Sequence, residues 1–259
     1  MSLMLDYLTT PEGLRLAYVD SGGAGRPLLV LHGAFGCGRS WMPLAQRMGR
    51  RIIAPDQRGH GRSDRAGDYS REAFLRDTVA VIERLDLAPV TIIGHSLGAI
   101  NAYQLAARRP ELVESFVALD FPVVAGEFPD PWLAELPPRF DSLSQMREAI
   151  ARLVALGAPF HFLESAVEDE RGWRFRWHAE DMVAVKRGVV GDWWADWTAS
   201  SQHALLLLGG TSPVVPAAHA DAMVARRPNT HCAVIEGAGH DLYLTHVDEV
   251  AARIGAFLA

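Results

Sequence analysis

The chain has 259 residues, 49% of them hydrophobic and 22% charged, with 25 Lys and Arg against 31 Asp and Glu for a formal charge of −6. That length fits one large domain or a core carrying an insertion, and it buries enough surface to fold with neither disulfides nor a structural metal. The acidic balance and the lack of a basic tract exclude a nucleic-acid-binding role, and apolar runs of only four residues, at 28–31 and 205–208, are far too short for a membrane helix. The two cysteines, Cys37 and Cys232, cannot build a disulfide framework, which suits a reducing compartment such as the cytoplasm. The first twelve residues carry no Lys or Arg and read as neither signal nor transit peptide.

In chain order, residues 14–20 read as an edge strand and 27–31 as a continuous apolar strand buried on both faces. A short helix is expected over 40–49, a third strand over 51–54, and a longer helix over 71–85. In that last segment Phe74, Leu75, Val79, Ile82 and Leu85 recur at close to helical spacing. A strand at 90–93, a helix at 97–108 stopped by Pro110, and a strand at 115–119 follow. After a long middle segment the alternation resumes with strand 203–208, helix 217–226, strand 232–235 and a closing helix 247–258. Such alternation predicts an α/β fold: parallel strands joined by right-handed crossovers, with helices on both faces of the sheet.

The middle segment, 122–200, has a different texture. It holds six of the seven tryptophans (Trp132, Trp173, Trp177, Trp193, Trp194, Trp197) and a Pro-rich stretch at 128–138. Stretches 144–157 and 180–190 look helical, and no strand alternation is visible. The segment reads as a helical cap over one end of the sheet, dividing the chain into a core of 1–121 with 201–259 and a cap of 122–200. Its tryptophans admit two readings, packing of a small lid or lining of an apolar pocket, with Trp132 and Trp193 as pocket candidates. Asp192, Asp196, His161 and His178 show no metal-ligand spacing, so no metal is assigned.

Three short motifs carry chemistry. Gly94-His95-Ser96-Leu97-Gly98 follows the strand at 90–93 and opens the helix at 97–108, the strand–turn–helix context in which G-x-S-x-G projects a serine above the sheet. The helix N-terminus adds its positive dipole end beneath that hydroxyl. His32-Gly33-Ala34-Phe35-Gly36 follows the buried strand at 27–31, and its Ala34 amide, with that of Leu97, could face a developing oxyanion. Ile235-Glu236-Gly237-Ala238-Gly239-His240 places a histidine in the last strand–loop–helix unit, after the serine in chain order.

With the loop Pro55-Asp56-Gln57-Arg58-Gly59-His60-Gly61-Arg62-Ser63-Asp64, these motifs make the chain resemble the α/β-hydrolase superfamily through nearly its whole length outside the middle segment. The resemblance implies an eight-stranded, mostly parallel sheet with a helical cap between strands 6 and 7. It further implies Ser96 as nucleophile and His240 as general base. Asp56 and Arg58 are expected to hold their loop rather than do chemistry. The chain departs from the common pattern at the third triad member: most relatives carry an acid just after the seventh strand, where Leu208-Gly209-Gly210-Thr211-Ser212-Pro213 puts Ser212. A minority, including some haloalkane dehalogenases and resorcylic-lactone hydrolases, place it after the sixth strand, which here is Asp120. That aspartate either orients His240 or merely caps the start of the middle segment.

The combined expectation is a serine hydrolase acting on an apolar carboxylic ester or lactone through Ser96, His240 and Asp120, with an oxyanion hole of Ala34 and Leu97. Substrate-binding candidates are His32, Gly33, Phe35, His95, Phe121, Trp132 and Trp193. No cofactor, nucleic acid or membrane is called for, and a monomer or homodimer is expected. A lyase, cyclase or C–C bond hydrolase on the same scaffold, and a ligand-binding relative without catalysis, are the alternatives.

Overall fold

In the computed structural model, which describes residues 3–127, 130–153 and 162–259, the apolar runs form one eight-stranded sheet. Its strands are β1 (Met4–Thr9), β2 (Arg15–Asp20), β3 (Leu28–Leu31), β4 (Ile52–Pro55), β5 (Val90–His95), β6 (Val113–Leu119), β7 (His203–Gly209) and β8 (Thr230–Ile235). They lie in the order β1-β2-β4-β3-β5-β6-β7-β8, with β2 antiparallel to both its neighbours and every other pair parallel.

Two-residue periodicity sends alternate side chains to opposite faces. Leu29, Leu31, Ile92, Phe116 and Leu206 join one core cluster with the helices α2 (Arg71–Arg84) and α3 (Leu97–Arg108). Leu28, Val30, Ile93, Val117 and Leu207 join the other, with α1 (Met42–Met48) and the closing helix Val247–Phe257. Both faces are therefore covered, which is why β3 and the Leu205–Leu208 stretch of β7 read as unbroken apolar runs. Helix α2 starts where the Ser70 hydroxyl accepts from the Ala73 N–H at 3.3 Å.

Two elements differ from the sequence reading. The segment at 14–20 is not the edge: β1 pairs outside it, exposing Met4, Leu5 and Tyr7 and burying only Leu8, so it lacks the alternation that would mark a strand. The segment between β6 and β7 is not purely helical. Besides helices Leu143–Leu153, Ala179–Val189 and Trp194–Ala199 it contains a hairpin, Ala166–Asp169 with Gly172–Phe175. Four-residue strands with Glu168 and Asp169 running into the turn carry no clear period. Gly172 has φ 102°, and a Cβ there would stand 2.6 Å from the Phe140 carbonyl oxygen. Residues 154–157 of the expected helix, and His161, lie outside the described residues. Where the segment leaves and rejoins the sheet, Val124–Ala125 pairs with Gly191–Asp192.

Register sets where the chemistry sits. Leu31 lies opposite Gly94, His95 opposite Leu119, Leu119 opposite Leu207, and Gly209 opposite Ile235. Five parallel strands thus end along one edge, and the loops beginning at His32, Ser96, Asp120, Gly210 and Glu236 emerge together there.

Candidate active site

Ser96 stands alone between β5 and α3 with φ 51° and ψ −112°, a conformation that costs a non-glycine residue about 1–3 kcal/mol. The surroundings impose it. Its N–H donates to the Leu119 carbonyl at 3.0 Å, and its own carbonyl accepts from the Ala99 N–H at 2.9 Å. A Cβ on Gly94 would lie 2.1 Å from the Gly98 carbonyl oxygen, and one on Gly98 would lie 2.1 Å from that of Leu31. The glycine spacing of the motif is therefore a steric requirement of a helix packed hard against two strand ends.

Asp120, the first residue after β6, also has a positive φ, 51°, and is 1% exposed. Its N–H donates to the Leu207 carbonyl at 2.9 Å, so the turn is pinned to β7. The carboxylate collects three donors: His240 Nδ1 at 2.7 Å and the Ser212 hydroxyl at 2.5 Å on Oδ2, and the Gly209 N–H at 3.2 Å on Oδ1. Ser212, at the position where an acid would have been expected, thus donates to the acid on the neighbouring strand. The loop bearing His240 is stapled to the same place, since Thr211 donates its N–H and its hydroxyl to the Ala238 carbonyl, each at 2.9 Å. His95 Nε2 donates to the His240 carbonyl at 2.9 Å, and the two imidazole rings lie 4.6 Å apart, which brings His240 against the Ser96 turn.

The loop after β3 runs directly over that turn. A Cβ built on Gly33 would stand 2.7 Å from His95 Nδ1 and 3.2 Å from the Ser96 Cβ. Ala34 follows, and Leu97 is the first residue of α3, whose leading amides have no intrahelical acceptor. Phe35, at φ 68°, turns its ring into an aromatic group: Trp132 and Phe162 at 5.3 Å each and Trp177 at 5.1 Å, with Trp177 stacked on Phe175 at 4.4 Å. The Ser165 hydroxyl donates to the Phe35 carbonyl at 2.8 Å, tying the hairpin region to this loop.

The structure therefore brings together Ser96, Asp120, His240, His95, His32, Gly33, Ala34, Phe35, Leu97 and Trp132. Phe121 is buried in the core cluster that also contains Phe35 and Trp132. Trp193 is partly buried against the same cluster, over Gly191, with its indole N–H given to the Val189 carbonyl at 3.0 Å. Trp197 is a core residue, edge-on to Tyr103 and Phe116. Phe162, Ser165 and the donor role of Ser212 had no signal in the sequence, while Trp177 was indistinguishable from the other tryptophans.

Asp56 and Arg58 shape the long loop. Asp56 accepts from the Gly38 and Arg62 amides at 2.6 and 2.7 Å, and Arg58 clasps Asp77 through two 2.7 Å bonds. Burial, with Asp56 nearby, pushes the Cys37 thiol up to about 12, so it is no nucleophile at neutral pH. Among the described residues no group of three or more His, Cys, Asp or Glu is placed to hold a metal, and no helix is long and apolar enough to cross a membrane.

Comparison with known proteins places this geometry in a family. The chain is 29% identical to an sn-1-specific diacylglycerol lipase of Mus musculus over 92% of its own length and 83% of the relative's. It is 30% identical to the 2-(acetamidomethylene)succinate hydrolase of Mesorhizobium japonicum over 91% of its own length and 87% of the relative's. A crystal structure of an E-2-(acetamidomethylene)succinate hydrolase superposes with a TM-score of 0.87 at 25% identity, covering 99% of both chains. The family described as the alpha/beta hydrolase fold matches residues 26–247, and the chain belongs to the α/β hydrolases.

Proposed function

We propose that the protein is a serine hydrolase that cleaves an uncharged, apolar carboxylic ester or lactone through an acyl-enzyme. The observation that carries the reading is the 2.7 Å contact between buried Asp120 and His240 Nδ1, beside a serine held at φ 51° on the elbow. In the reaction, Ser96 Oγ attacks the carbonyl carbon while His240 Nε2 takes its proton, and Asp120 holds the Nδ1–H tautomer and stabilises the imidazolium. The Ala34 and Leu97 amides receive the oxyanion. His240 returns the proton to the leaving alcohol, then activates a water that releases the acid and restores Ser96. The preference for an apolar acyl group is supported by Phe35, Trp132, Phe162 and Trp177, which meet beside the oxyanion loop. The segment 122–200 acts as the cap that carries three of those rings.

A second reading, hydrolysis of a substrate bearing free carboxylates, is favoured by the likeness to the succinate-derivative hydrolase. One experiment separates the two. A fluorophosphonate should label Ser96 and no other serine, and purified protein should turn over neutral esters and lactones of graded acyl size, with Ser96→Ala inactive. Label on another serine would overturn the triad, and turnover confined to carboxylate-bearing members of the panel would replace the first substrate class by the second.

A further inference from the structure

Arg71, the first residue of α2, is 4% exposed and meets no carboxylate. Its Nε donates to Gln104 Oε1 at 2.9 Å, its Nη2 donates to Asn101 Oδ1, its Cζ lies 5.7 Å from the Phe74 ring centroid, and its Nη1 has no hydrogen-bond partner. Arg58, equally buried, is by contrast paired with Asp77. Burial pulls Arg71 down to about 10, which leaves it charged at neutral pH. Its charge is met by two amide oxygens and the Phe74 ring, with Asp196 one amide further on, and no carboxylate pairs with it directly.

From Arg71 an unbroken chain of buried amides leads to the loop over Ser96. Asn101 Nδ2 donates to Gln57 Oε1 at 2.5 Å, Gln57 Nε2 donates to the His32 carbonyl at 2.6 Å, and the Gln57 N–H donates to His32 Nε2 at 2.9 Å. On the other side Gln104 Nε2 donates to Asp196 Oδ2 at 2.9 Å. An isolated side-chain amide can point either way round, but a guanidinium only donates. Arg71 therefore forces Asn101 to face it with oxygen, Asn101 to offer Gln57 its NH₂, and Gln57 to offer His32 its NH₂. The His32 carbonyl can only accept, so both ends of the chain demand the same direction, and without the cation the Asn101 end loses its hold.

The far end of the chain acts on the oxyanion loop. Gln57 holds this loop at two points: its side-chain NH₂ donates to the His32 carbonyl, and its backbone N–H donates to His32 Nε2, which leaves the ring proton on Nδ1 to donate to the Gly33 carbonyl at 2.7 Å. In the trans Gly33–Ala34 peptide the N–H points opposite to that carbonyl, so holding the carbonyl aims the Ala34 N–H. We propose that Arg71 is a positioning residue that anchors the far end of this amide chain, and so holds Gln57 where it fixes the oxyanion loop and the aim of the Ala34 donor. The proposal rests on the serine-hydrolase reading above.

The test uses p-nitrophenyl butyrate turnover, inhibition by butylboronic acid, whose tetrahedral adduct places an oxygen in the oxyanion hole, and urea unfolding. Arg71→Met should lower kcat about 10- to 100-fold, short of the 10²–10³-fold lost with a whole oxyanion donor. KM should change less than about threefold, boronate affinity should fall in parallel with kcat, and the unfolding midpoint should fall modestly, because the Asn101 and Gln104 oxygens lose their donor. Arg71→Lys should recover part of the rate. Asn101→Asp keeps the fold accessible if Arg71→Met does not: it supplies the missing carboxylate to Arg71 but withdraws the donor from Gln57. It should therefore stabilise the protein while lowering kcat. Wild-type kcat and boronate affinity in folded Arg71→Met or Asn101→Asp would overturn the proposal, as would a rate loss with unchanged boronate affinity. Undiminished turnover by Ser96→Ala would instead overturn the hydrolase reading itself.

Discussion

Moving the proposed triad acid from one strand end to the next tests the site most directly. Asp120→Asn should lower kcat by about 10⁴, close to 5.5 kcal/mol in the barrier, with KM nearly unchanged. The amide cannot stabilise an imidazolium, and an NH₂ turned toward His240 selects the wrong tautomer. Ser212→Asp alone should also be harmful. The Ser212 oxygen lies 2.5 Å from Asp120 Oδ2, so a second carboxylate would come within about 4 Å of the first. Two such charges repel by about 4 kcal/mol at an effective dielectric of 20, and the pair answers by retaining a proton. The acid limb of the pH–rate profile should then move upward. In Asp120→Asn with Ser212→Asp the repulsion is gone and a carboxylate again faces His240, so the double variant should exceed Asp120→Asn by about tenfold or more, a gain of about 1.4 kcal/mol. Initial rates from pH 5 to 9 for the four proteins, with urea unfolding as a control, decide the matter. Wild-type turnover by Asp120→Asn would refute the assignment, and a double variant no faster than the single would refute the convergence of the two positions.

Gly98→Ala would place a methyl carbon 2.1 Å from the Leu31 carbonyl oxygen, a backbone atom that cannot step aside, and should cost about 3 kcal/mol in urea unfolding. Trp177→Ala should change the ratio of kcat/KM for short and long acyl esters, because its ring meets Phe35 beside the oxyanion loop. Trp197→Ala, in the core, should instead cost about 3–5 kcal/mol and leave that ratio alone, and equal selectivity in both variants would show that Trp177 only packs. With its thiol pushed up to about 12, Cys37 should resist iodoacetamide at pH 8 in the native protein and react in urea, whereas exposed Cys232 should react in both. Rapid native modification of Cys37 would refute its burial.

The strand–turn–helix around Ser96 was legible because its physics is local: a buried strand, two glycines at close approaches, and an amphipathic helix all lie within twenty residues. Asp120 could be singled out through the resemblance, because a minority of similar proteins place the acid after the sixth strand and this chain has an aspartate there. The hydroxyl that completes its surroundings lies 92 positions away, and no spacing rule reaches that far. The same limit hid the difference among the tryptophans. Trp177 meets Phe35 while the Trp193 indole N–H is taken up by the Val189 carbonyl, a distinction made by a hairpin whose short, charged strands carry no period. Arg71 reads from sequence as an ordinary solvated residue beside a helix cap. Its partners Asn101 and Gln104 lie on a separate helix about thirty positions on, beyond the reach of any local pattern.

The geometry of adjacent parallel strands lets an acid at the end of β6 serve, in the proposed triad, in place of one after β7. Leu119 and Leu207 are register partners, so the chains leaving β6 and β7 start side by side. The positive φ of Asp120 and its N–H bond to the Leu207 carbonyl turn the carboxylate over the end of β7, where the Gly209 amide and the Ser212 hydroxyl meet it. The carboxylate thus occupies the ground above β7 although β6 carries it. His240 requires an anion within reach of Nδ1, and it does not matter to the imidazole which strand supplies it. What does matter is that only one of the two positions be anionic, since a second carboxylate would repel the first, whereas a hydroxyl donates to it. Serine at 212 and aspartate at 120 are therefore one coupled solution: the residue that looks like a missing acid is the donor that suits the acid next door.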